Sequence, residues 1–405
     1  MTGPLEGIRV LDLSRVLAGP SCCQLLGDLG AEVIKVERPK VGDETRTWGP
    51  PFLRDPTGGD TSESAYYLCA NRNKRSVTID FSRPEGAALI RRMLPSCDVL
   101  VENLKVGGLT KYGLGYDDLR EEFPALVYCS ITGYGQTGPY ADRPGYDMMA
   151  QGIGGIMSIT GEADGPPVKV GVAINDVMSG MYSAVAILSA LRHRDRTGQG
   201  QAIDISLLDV QVGWLYNQGL NYLCSGEAPG RLGTAHPNSA PYQAFPASDG
   251  YLIIAANNDR QFERFCNVAG SPQLLKDKRF ATNPDRVRNR DALVAAVSAI
   301  TRTRTIDDWI EALSAAGVGC APINTIDRVF NDPQVQHRQM RIAMTHPLAG
   351  DRPVDLIGNP IKFSATPVSY RSPPPTMGQH TGEILEELLN ISEDERETLR
   401  AQHVI

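Results

Sequence analysis

An aspartate stands where a glycine-containing loop meets a long apolar segment. Asp176 follows VKVGVAIN and precedes the segment Val177–His193, which is apolar almost throughout and is followed by arginine and Gly198. This pattern predicts a buried helix with cations and glycine at its C-terminal end. Asp176 is then either an N-cap, or a carboxylate nucleophile that the helix holds in one rotamer and keeps ionised, and the two roles can coexist.

Cationic side chains recur at the predicted strand ends of the N-terminal half. They are Lys35, Arg38, Arg72, Lys74, Arg75, Lys105 and Lys111. Ligands of α/β proteins usually bind at a sheet edge. These cations therefore favour a polyphosphate ligand over scattered surface charge.

Two Gly-rich loops could also face a ligand. Gly133, Gly135 and Gly138 have the G-x-G-x-x-G spacing of a dinucleotide site, but Pro139 follows and no helical pattern opens there. A tight turn beside a ligand is therefore favoured over a nicotinamide or flavin site. His236 lies in the other loop, as a ligand contact or as a solvated surface residue. The sequence has no H-x-x-x-H, G-x-S-x-G or Walker motif, so it supports neither a metal site nor a serine nucleophile.

Short β-branched runs alternate with helix-length segments through the first half of the chain. The runs begin near Gly7, Ala31, Ser76, Asp98 and Ala125. This alternation predicts a doubly wound α/β domain with a mostly parallel sheet. Changes in composition divide the chain into residues 1–225 of a large domain, 226–325 of a small domain, and 326–405 returning to the large one.

The overall composition excludes several classes of protein. The chain has 405 residues and a net charge of −7, without blocks of like charge, which argues against nucleic-acid binding. The N-terminus does not have the pattern of a signal peptide, and no apolar run reaches the length of a membrane span. Eight cysteines without a C-x-x-C motif predict a reduced, cytoplasmic protein. The lack of a membrane-length apolar run predicts that no membrane is among its partners.

Several ordered segments together resemble the family III CoA-transferases, which include the formyl-CoA:oxalate and carnitine enzymes. The resemblance rests on PLEGIRVLDLSRVLAGPSCCQLLGDLGAEVIKVERPKVGDETRTWGPPF, NRNKRSVTIDF, VENLKVGGLTKYGLGYDDL, SITGYGQTGPY, GVAINDVMSGMYSAVAILSALRHRDRTGQGQAIDISLLD and PPPTMGQHT. It implies a large Rossmann-like domain, a smaller α+β domain and an interlocked homodimer, possibly with a paralogous subunit. It also implies CoA thioesters and carboxylic acids as substrates, with no tightly bound cofactor and no metal.

The resemblance makes Asp176 the nucleophile that carries CoA as an aspartyl thioester between mixed anhydrides. It assigns the oxyanion-stabilising turn to Gly133, Tyr134 and Gly135, and a mobile loop to residues 233–236. Residues at CoA-binding positions are Ala18, Arg38, Arg72, Asn73, Lys74, Arg75, Asn103, Leu104 and Lys111. Of these, we expect Arg38, Lys74 and Arg75 to meet the phosphates.

The same resemblance favours succinyl-CoA as donor and a C4 to C6 dicarboxylate as acceptor. Arg46 is the first candidate for the distal carboxylate, and His236 or Arg231 the second. Leu17 replaces the glutamine of formyl-type members, which disfavours formyl or oxalate substrates. Two alternatives remain: a 2-methylacyl-CoA racemase, disfavoured because Tyr146 replaces its histidine base, and an inactive CoA-binding dimer.

Overall fold

A computed structural model describes residues 3–405. Its strands are β1 (Arg9–Asp12), β2 (Glu32–Glu37), β3 (Phe52–Arg54), β4 (Asp60–Ser64), β5 (Lys74–Thr78), β6 (Val99–Glu102), β7 (Val127–Thr132), β8 (Ala202–Ser206), β9 (Tyr242–Pro246), β10 (Tyr251–Ala255), β11 (Gly319–Pro322), β12 (Arg341–Thr345) and β13 (Pro353–Ile357).

The α-helices are α1 (Ala18–Asp28), α2 (Ala65–Leu68), α3 (Pro84–Met93), α4 (Tyr116–Leu119), α5 (Asp147–Ile153), α6 (Ile156–Ile159), α7 (Ile174–Thr197), α8 (Leu207–Gly213), α9 (Tyr216–Ser225), α10 (Asp259–Val268), α11 (Gln273–Lys276), α12 (Asn283–Arg288), α13 (Arg290–Thr301), α14 (Ile306–Ala315), α15 (Ile326–Asn331), α16 (Pro333–His337), α17 (Thr381–Leu389) and α18 (Glu393–Ala401). Short 3₁₀ helices lie at Glu44–Thr47, Leu94–Ser96, Thr110–Tyr112, Lys278–Phe280 and Pro347–Ala349.

The chain divides into two compact units, and both are discontinuous in sequence. The first comprises the described residues up to Gly154, Val170–Trp214 and Pro333–Ile405, and the second comprises Gly155–Lys169 and Leu215–Asp332. This division differs from the boundaries at 225 and 325 that the sequence suggested. The main segment of the second unit begins at Leu215, eleven residues before the predicted start at 226. This unit also includes the Gly/Pro-rich segment 155–169, which the sequence analysis placed in the large domain.

The first unit is built on a six-stranded parallel sheet. The strand order is β5-β2-β1-β6-β7-β8, and every neighbouring pair is parallel. The order reverses between β1 and β6, which is the switch point at which ligands of doubly wound sheets bind. The prediction of an α/β fold with a parallel central sheet is confirmed.

Helices cover both faces of this sheet, because alternate strand residues are apolar on each side. On one face, side chains of α1 and α7 such as Leu26 and Ile187 pack against Val99 and Val127. On the other, α3 and α17 pack against Leu11 and its neighbours. Helix α7 is long and apolar enough to cross a membrane by length and composition. Since its buried side chains belong to this core, we interpret it as a core helix.

The second unit contains the predicted hairpin, β9 and β10, extended by β11 into an antiparallel sheet of order β11-β10-β9. Helices α10, α13 and α14 supply Phe265, Leu293 and Trp309, which are buried against Phe245 and Leu252 of the sheet. This unit therefore has its own hydrophobic core.

Candidate active site

The loops after β1 and β6 meet at the switch point of the parallel sheet. The Asn103 side chain joins them: its Oδ1 accepts from the backbone N–H of Arg15 at 2.9 Å, and its Nδ2 donates to the carbonyl of Arg15 at 2.6 Å. Asn103 therefore holds the two loops together, and they form one wall of two neighbouring clefts.

The first cleft, called here the nucleophile cleft, has a volume of about 230 Å³. Asp176 lines it, together with Leu17, Ala18, Asn103, Leu104 and Gly133 from the sequence-predicted set. These residues come from the loops after β1, β6 and β7 and from the first turns of α1 and α7. The structure thus brings together residues that lie up to 159 positions apart in sequence.

Asp176 is the third residue of α7, and Ala173 is the N-cap. The expectation that Asp176 caps this helix is therefore wrong. Two contacts hold the residue before it: the backbone N–H of Asn175 donates to Asp147 Oδ1 at 2.8 Å, and Asn175 Nδ2 donates to the carbonyl of Leu207 at 3.0 Å. These contacts fix the start of α7 and leave the Asp176 side chain facing the cleft.

The Asp176 carboxyl group is a weaker acid than an ordinary aspartate. Partial burial, and secondly the negative charge of Asp147, raise its pKa to about 7. Among the described residues, no hydrogen bond offsets these two effects. The expectation that the helix keeps Asp176 ionised is therefore wrong: close to pH 7 a substantial fraction is protonated. The raised pKa also makes the ionised form more basic, which suits the nucleophile role that the sequence predicts.

The glycine turn after β7 lies beside Asp176. Gly133 packs against Gly145, and a Cβ atom on Gly133 would come within 2.4 Å of the Gly145 Cα. Gly135 has a φ of +87°, and its N–H donates to Thr132 Oγ1 at 3.0 Å. Tyr134 makes an edge-to-face contact with Tyr140. The next helix begins only at Asp147, so the G-x-G-x-x-G spacing lacks the helix that a dinucleotide site requires.

The second cleft, called here the central cleft, has a volume of about 600 Å³. It shares Arg15, Glu44, Leu104 and Lys105 with the nucleophile cleft. Its exposed cations include Arg38, Lys105 and Lys111. The predicted positions Arg38, Leu104 and Lys111 therefore lie together, one cleft away from Asp176.

Arg72 and Asn73 lie elsewhere. Arg72 is 4% exposed and forms two hydrogen bonds with Asp28 of α1, at 2.9 and 2.5 Å. Asn73 Nδ2 donates to the same carboxylate at 2.8 Å. Both side chains are occupied in joining α1 to the start of β5, so their assignment to CoA is not supported by the geometry.

Lys74 and Arg75 are occupied in the same way. Lys74 is fully buried, and its Nζ contacts Asp12 at 3.0 Å and Asn71 at 2.9 Å. Arg75 forms ion pairs with the carboxylates of Glu32, Glu383 and Glu387. Both residues open β5, whereas the cleft lies at the carboxyl end of this strand. The residues that line the cleft there are Ile79, Asp80, Phe81 and Ser82, which the sequence reasoning missed.

Arg46 is also a structural residue. It is 4% exposed, and its guanidinium binds Glu37 at 2.7 and 2.8 Å, Glu63 at 2.5 Å and the Tyr67 hydroxyl at 2.7 Å. Burial alone would raise the pKa of Glu37, but Arg46 lowers it. A guanidinium with these partners cannot also bind a substrate carboxylate, so the assignment of Arg46 is corrected.

The two remaining candidates belong to the second unit. Arg231 donates to backbone carbonyls of the segment 162–165, at 2.6 Å in the case of Gly165. The His236 ring stacks on Tyr242 with a centroid distance of 5.1 Å, and its Nδ1 accepts from the Asn238 N–H. Their roles toward a substrate stay predictions.

Other side chains of the site were not found from sequence. No sequence motif indicates that Asp147 belongs to the site. Its membership follows only from the structure, in which it accepts a hydrogen bond from Asn175 of α7. Burial, and then the negative charge of Asp176, raise the pKa of Tyr66 to about 12, which places this phenol within electrostatic reach of Asp176. The sequence indicates Lys105 only as a cation at a strand end, and nothing in it shows that this side chain lines both clefts. Among residues 3–405, no group of three or more His, Cys, Asp or Glu side chains could hold a metal ion.

Comparison with known proteins identifies the family. The model of CoA-transferase family III matches residues 5–381 of the chain. The chain belongs to CoA-transferase family III. It is 50% identical over 389 residues to the succinate–glutarate CoA-transferase of Agrobacterium fabrum, covering 96% of each chain. It is 44% identical over 402 residues to the succinyl-CoA:glutarate CoA-transferase of Mus musculus, covering 99% of this chain and 90% of that one.

A solved structure agrees with this membership. The crystal structure of a CAIB/BAIF family protein from Brucella suis matches with a TM-score of 0.84 at 50% identity, covering 96% of this chain and 100% of that chain. The family resemblance seen in the sequence is thus confirmed.

The pKa of Asp176 predicts the pH dependence of this CoA-transferase. kcat/KM for the acyl-CoA should rise through pH 7, because the attack predicted for Asp176 requires its ionised carboxylate. Asp147→Asn removes the neighbouring negative charge and lowers that pKa, so the rise should move to lower pH by roughly one unit. Steady-state rates between pH 5 and pH 9 measure the shift.

Glu102 provides the control, since burial raises its pKa to about 7 as well. Glu102→Gln should leave the position of the rise unchanged. If Glu102→Gln shifts the rise and Asp147→Asn does not, the titrating group is Glu102 and the prediction for Asp176 is contradicted.

Proposed function

We propose that this enzyme transfers CoA from succinyl-CoA to a dicarboxylate such as glutarate, through a covalent intermediate on Asp176. Relatives at 50% and 44% identity are named as succinate–glutarate and succinyl-CoA:glutarate CoA-transferases. The observation that carries the proposal is the position of Asp176, in a cleft that continues directly into the cation-lined central cleft.

The proposed reaction proceeds through four acyl transfers. The Asp176 carboxylate attacks the thioester carbonyl, which forms a mixed anhydride and releases CoA thiolate. The thiolate attacks the aspartyl carbonyl, which forms an aspartyl-CoA thioester and releases the donor acid as its carboxylate. The acceptor carboxylate then attacks this thioester and releases the thiolate again. Finally the thiolate attacks the acceptor carbonyl of the second anhydride, forming the new thioester and regenerating Asp176. No net proton is consumed, and no metal takes part.

CoA would lie along both clefts. The phosphates would meet Arg38, Lys105 and Lys111 of the central cleft, since exposed cations can replace the water around a pyrophosphate. The pantetheine arm would pass the shared residue Leu104 and enter the nucleophile cleft beside Ala18. In this placement Asn103 acts by holding the wall that the arm follows.

The turn after β7 would stabilise the oxyanions that develop at each attacked carbonyl. Gly133 lines the nucleophile cleft, and its contact with Gly145 leaves no room for a side chain. The N–H of Gly135 is already bonded to Thr132, so it is the least suited donor of the turn. Gly133 and Tyr134 therefore remain the proposed contributors.

Arg143 replaces Arg46 as the candidate for the distal carboxylate of the acceptor. It lines the same cleft as Asp176 and is exposed. Its guanidinium lies 3.8 Å from the centroid of the Tyr140 ring, and it forms no ion pair with another residue of the described chain. The other arginine of this cleft, Arg15, is bound to Glu44 at 2.7 Å. Leu17, which lines the same cleft, contributes an apolar surface that suits the methylene chain of a longer diacid.

The racemase alternative gains no support from the site. Tyr146 lines the cleft and is 63% exposed, but it carries a phenol where the racemase reading needs a histidine base. The relatives named above are CoA-transferases.

Exposed apolar side chains support the proposed homodimer. Helices α5, α7 and α8 of the first unit expose Met148, Met149, Ile153, Met181, Tyr182, Val185 and Val212. Apolar area of this extent on adjacent helices is typical of an interface. The interlocked arrangement, a paralogous partner and the cytoplasmic location stay predictions from the sequence.

Replacement of the nucleophile tests the proposed reaction. Asp176→Asn keeps the size of the side chain but removes the carboxylate, so transfer from succinyl-CoA to glutarate should fall by at least about 10³-fold. Mass spectrometry of the CoA products measures transfer, and circular dichroism checks that the fold persists. Wild-type transfer rates in Asp176→Asn would refute the proposal. Wild-type protein that binds CoA but forms no glutaryl-CoA would favour an inactive binding dimer.

Recognition of the distal carboxylate has a separate test. Wild-type enzyme should prefer glutarate to valerate, which has the same length but only one carboxylate. Arg143→Gln should reduce this preference by roughly 10- to 100-fold, because a charged hydrogen bond contributes about 1.5–3 kcal/mol. kcat/KM for both acids, at saturating succinyl-CoA, gives the ratio. An unchanged ratio in Arg143→Gln would exclude this residue as the distal contact.

A further inference from the structure

A third cleft adjoins the central cleft on the side away from Asp176. This outer cleft has a volume of about 940 Å³ and is lined by the cationic or imidazole side chains of Arg38, Lys40, Arg83, Arg400 and His403. Asp80 is its one acidic side chain among the described residues. None of these residues except Arg38 belongs to the predicted CoA contacts.

The outer and central clefts form one continuous groove. Arg38, Val41 and Asp80 line both of them. Arg38 follows β2 and Asp80 follows β5, so the neighbouring carboxyl ends of these strands place them side by side. Val41 is 55% exposed and provides an apolar surface at the junction.

The C-terminal segment is fixed against this groove. The backbone N–H of Asp80 donates to the carbonyl of Val404 at 2.7 Å, and the Val404 side chain is fully buried in the core of the first unit. Arg400 in the last turn of α18 and His403 after it are therefore held at the rim.

Two of the four cations of the outer cleft, Arg83 and Lys40, have no carboxylate partner among the described residues. Arg38 approaches Asp80 only to 3.9 Å. Lys40 Nζ lies 3.5 Å from His403 Nδ1. Arg400 alone has a close carboxylate, Glu393 at 2.7 Å. Cations gathered in this way repel one another unless an anion binds among them.

We propose that the outer cleft binds the 3′-phosphate of CoA, with Arg83 and Lys40 as its main ligands and Arg400 and His403 beside them. The proposal rests on the proposed function, because it requires CoA to occupy the central cleft. The thioester end of CoA belongs at Asp176, and its pyrophosphate at Arg38, Lys105 and Lys111. The ribose 3′-phosphate lies beyond the pyrophosphate, so it reaches the next cleft along the groove. A phosphate monoester carries up to two negative charges and suits several cations.

Binding of CoA and of 3′-dephospho-CoA to the full-length protein tests the assignment. By isothermal titration calorimetry, wild-type protein should bind CoA about 10- to 100-fold more tightly than 3′-dephospho-CoA. Arg83→Gln and Lys40→Gln should each reduce this ratio at least about fivefold, while the Kd for 3′-dephospho-CoA stays unchanged. Arg83→Lys should restore part of the ratio, because it keeps the charge.

Arg120→Gln is the matched control. It removes the same charge from an exposed side chain that lines none of the three clefts. This variant should keep the wild-type ratio. Equal affinity of the wild type for the two ligands, or an unchanged ratio in both cleft variants, would overturn the assignment. Failure of the wild type to bind either ligand would contradict the proposed function as well.

Discussion

Every feature of the site depends on how an aspartate is held partly out of water at the edge of a parallel sheet. The first turn of α7 places Asp176 beside Asp147, and burial together with that like charge raises its pKa to about 7. A fully solvated aspartate would be ionised but weakly basic. One buried without access to a cleft could not reach a thioester. In this structure Asp176 is partly buried and still lines the cleft. Asp147 and Leu207 anchor the preceding residue, Asn175, and the Asp176 side chain faces the open cleft.

The charges around the groove fall into two groups with different functions. The buried cations, which include Arg46, Arg72 and Lys74, are paired with carboxylates and stabilise the loops and strand ends beneath the cleft. Removing one partner from such a pair leaves an uncompensated buried charge and costs about 3–5 kcal/mol. The exposed cations, such as Arg38, Lys105 and Lys111, have no such pairing at close distance and are available to phosphates. The two groups contain the same residue types and differ in solvent exposure: the paired cations are buried and the unpaired ones are exposed.

The sequence predicted the fold better than it predicted the site. The alternation of β-branched runs with helical segments was enough for the parallel sheet, since each run is buried on both faces. The family motifs named Asp176, Ala18 and Asn103, which the structure places in the lining of one cleft, while their roles stay predictions. They could not show that Lys74 opens β5 rather than ending it, or that Arg46 is enclosed by Glu37 and Glu63. Such facts depend on partners distant in sequence. The same holds for Arg400, which α18 carries to the rim of a groove formed more than 300 residues earlier.

A covalent bond between CoA and Asp176 is the central claim, and trapping it is the most direct test. Enzyme mixed with succinyl-CoA and no acceptor should accumulate an aspartyl-CoA thioester. Rapid acid quenching, proteolysis and mass spectrometry should then find the mass of CoA, less one water, on the peptide that contains Asp176, and free succinate in equal amount. Addition of glutarate before the quench should discharge the adduct as glutaryl-CoA. Single-turnover transfer with no modified Asp176 peptide at any time point, or with CoA attached to another residue, would contradict the account.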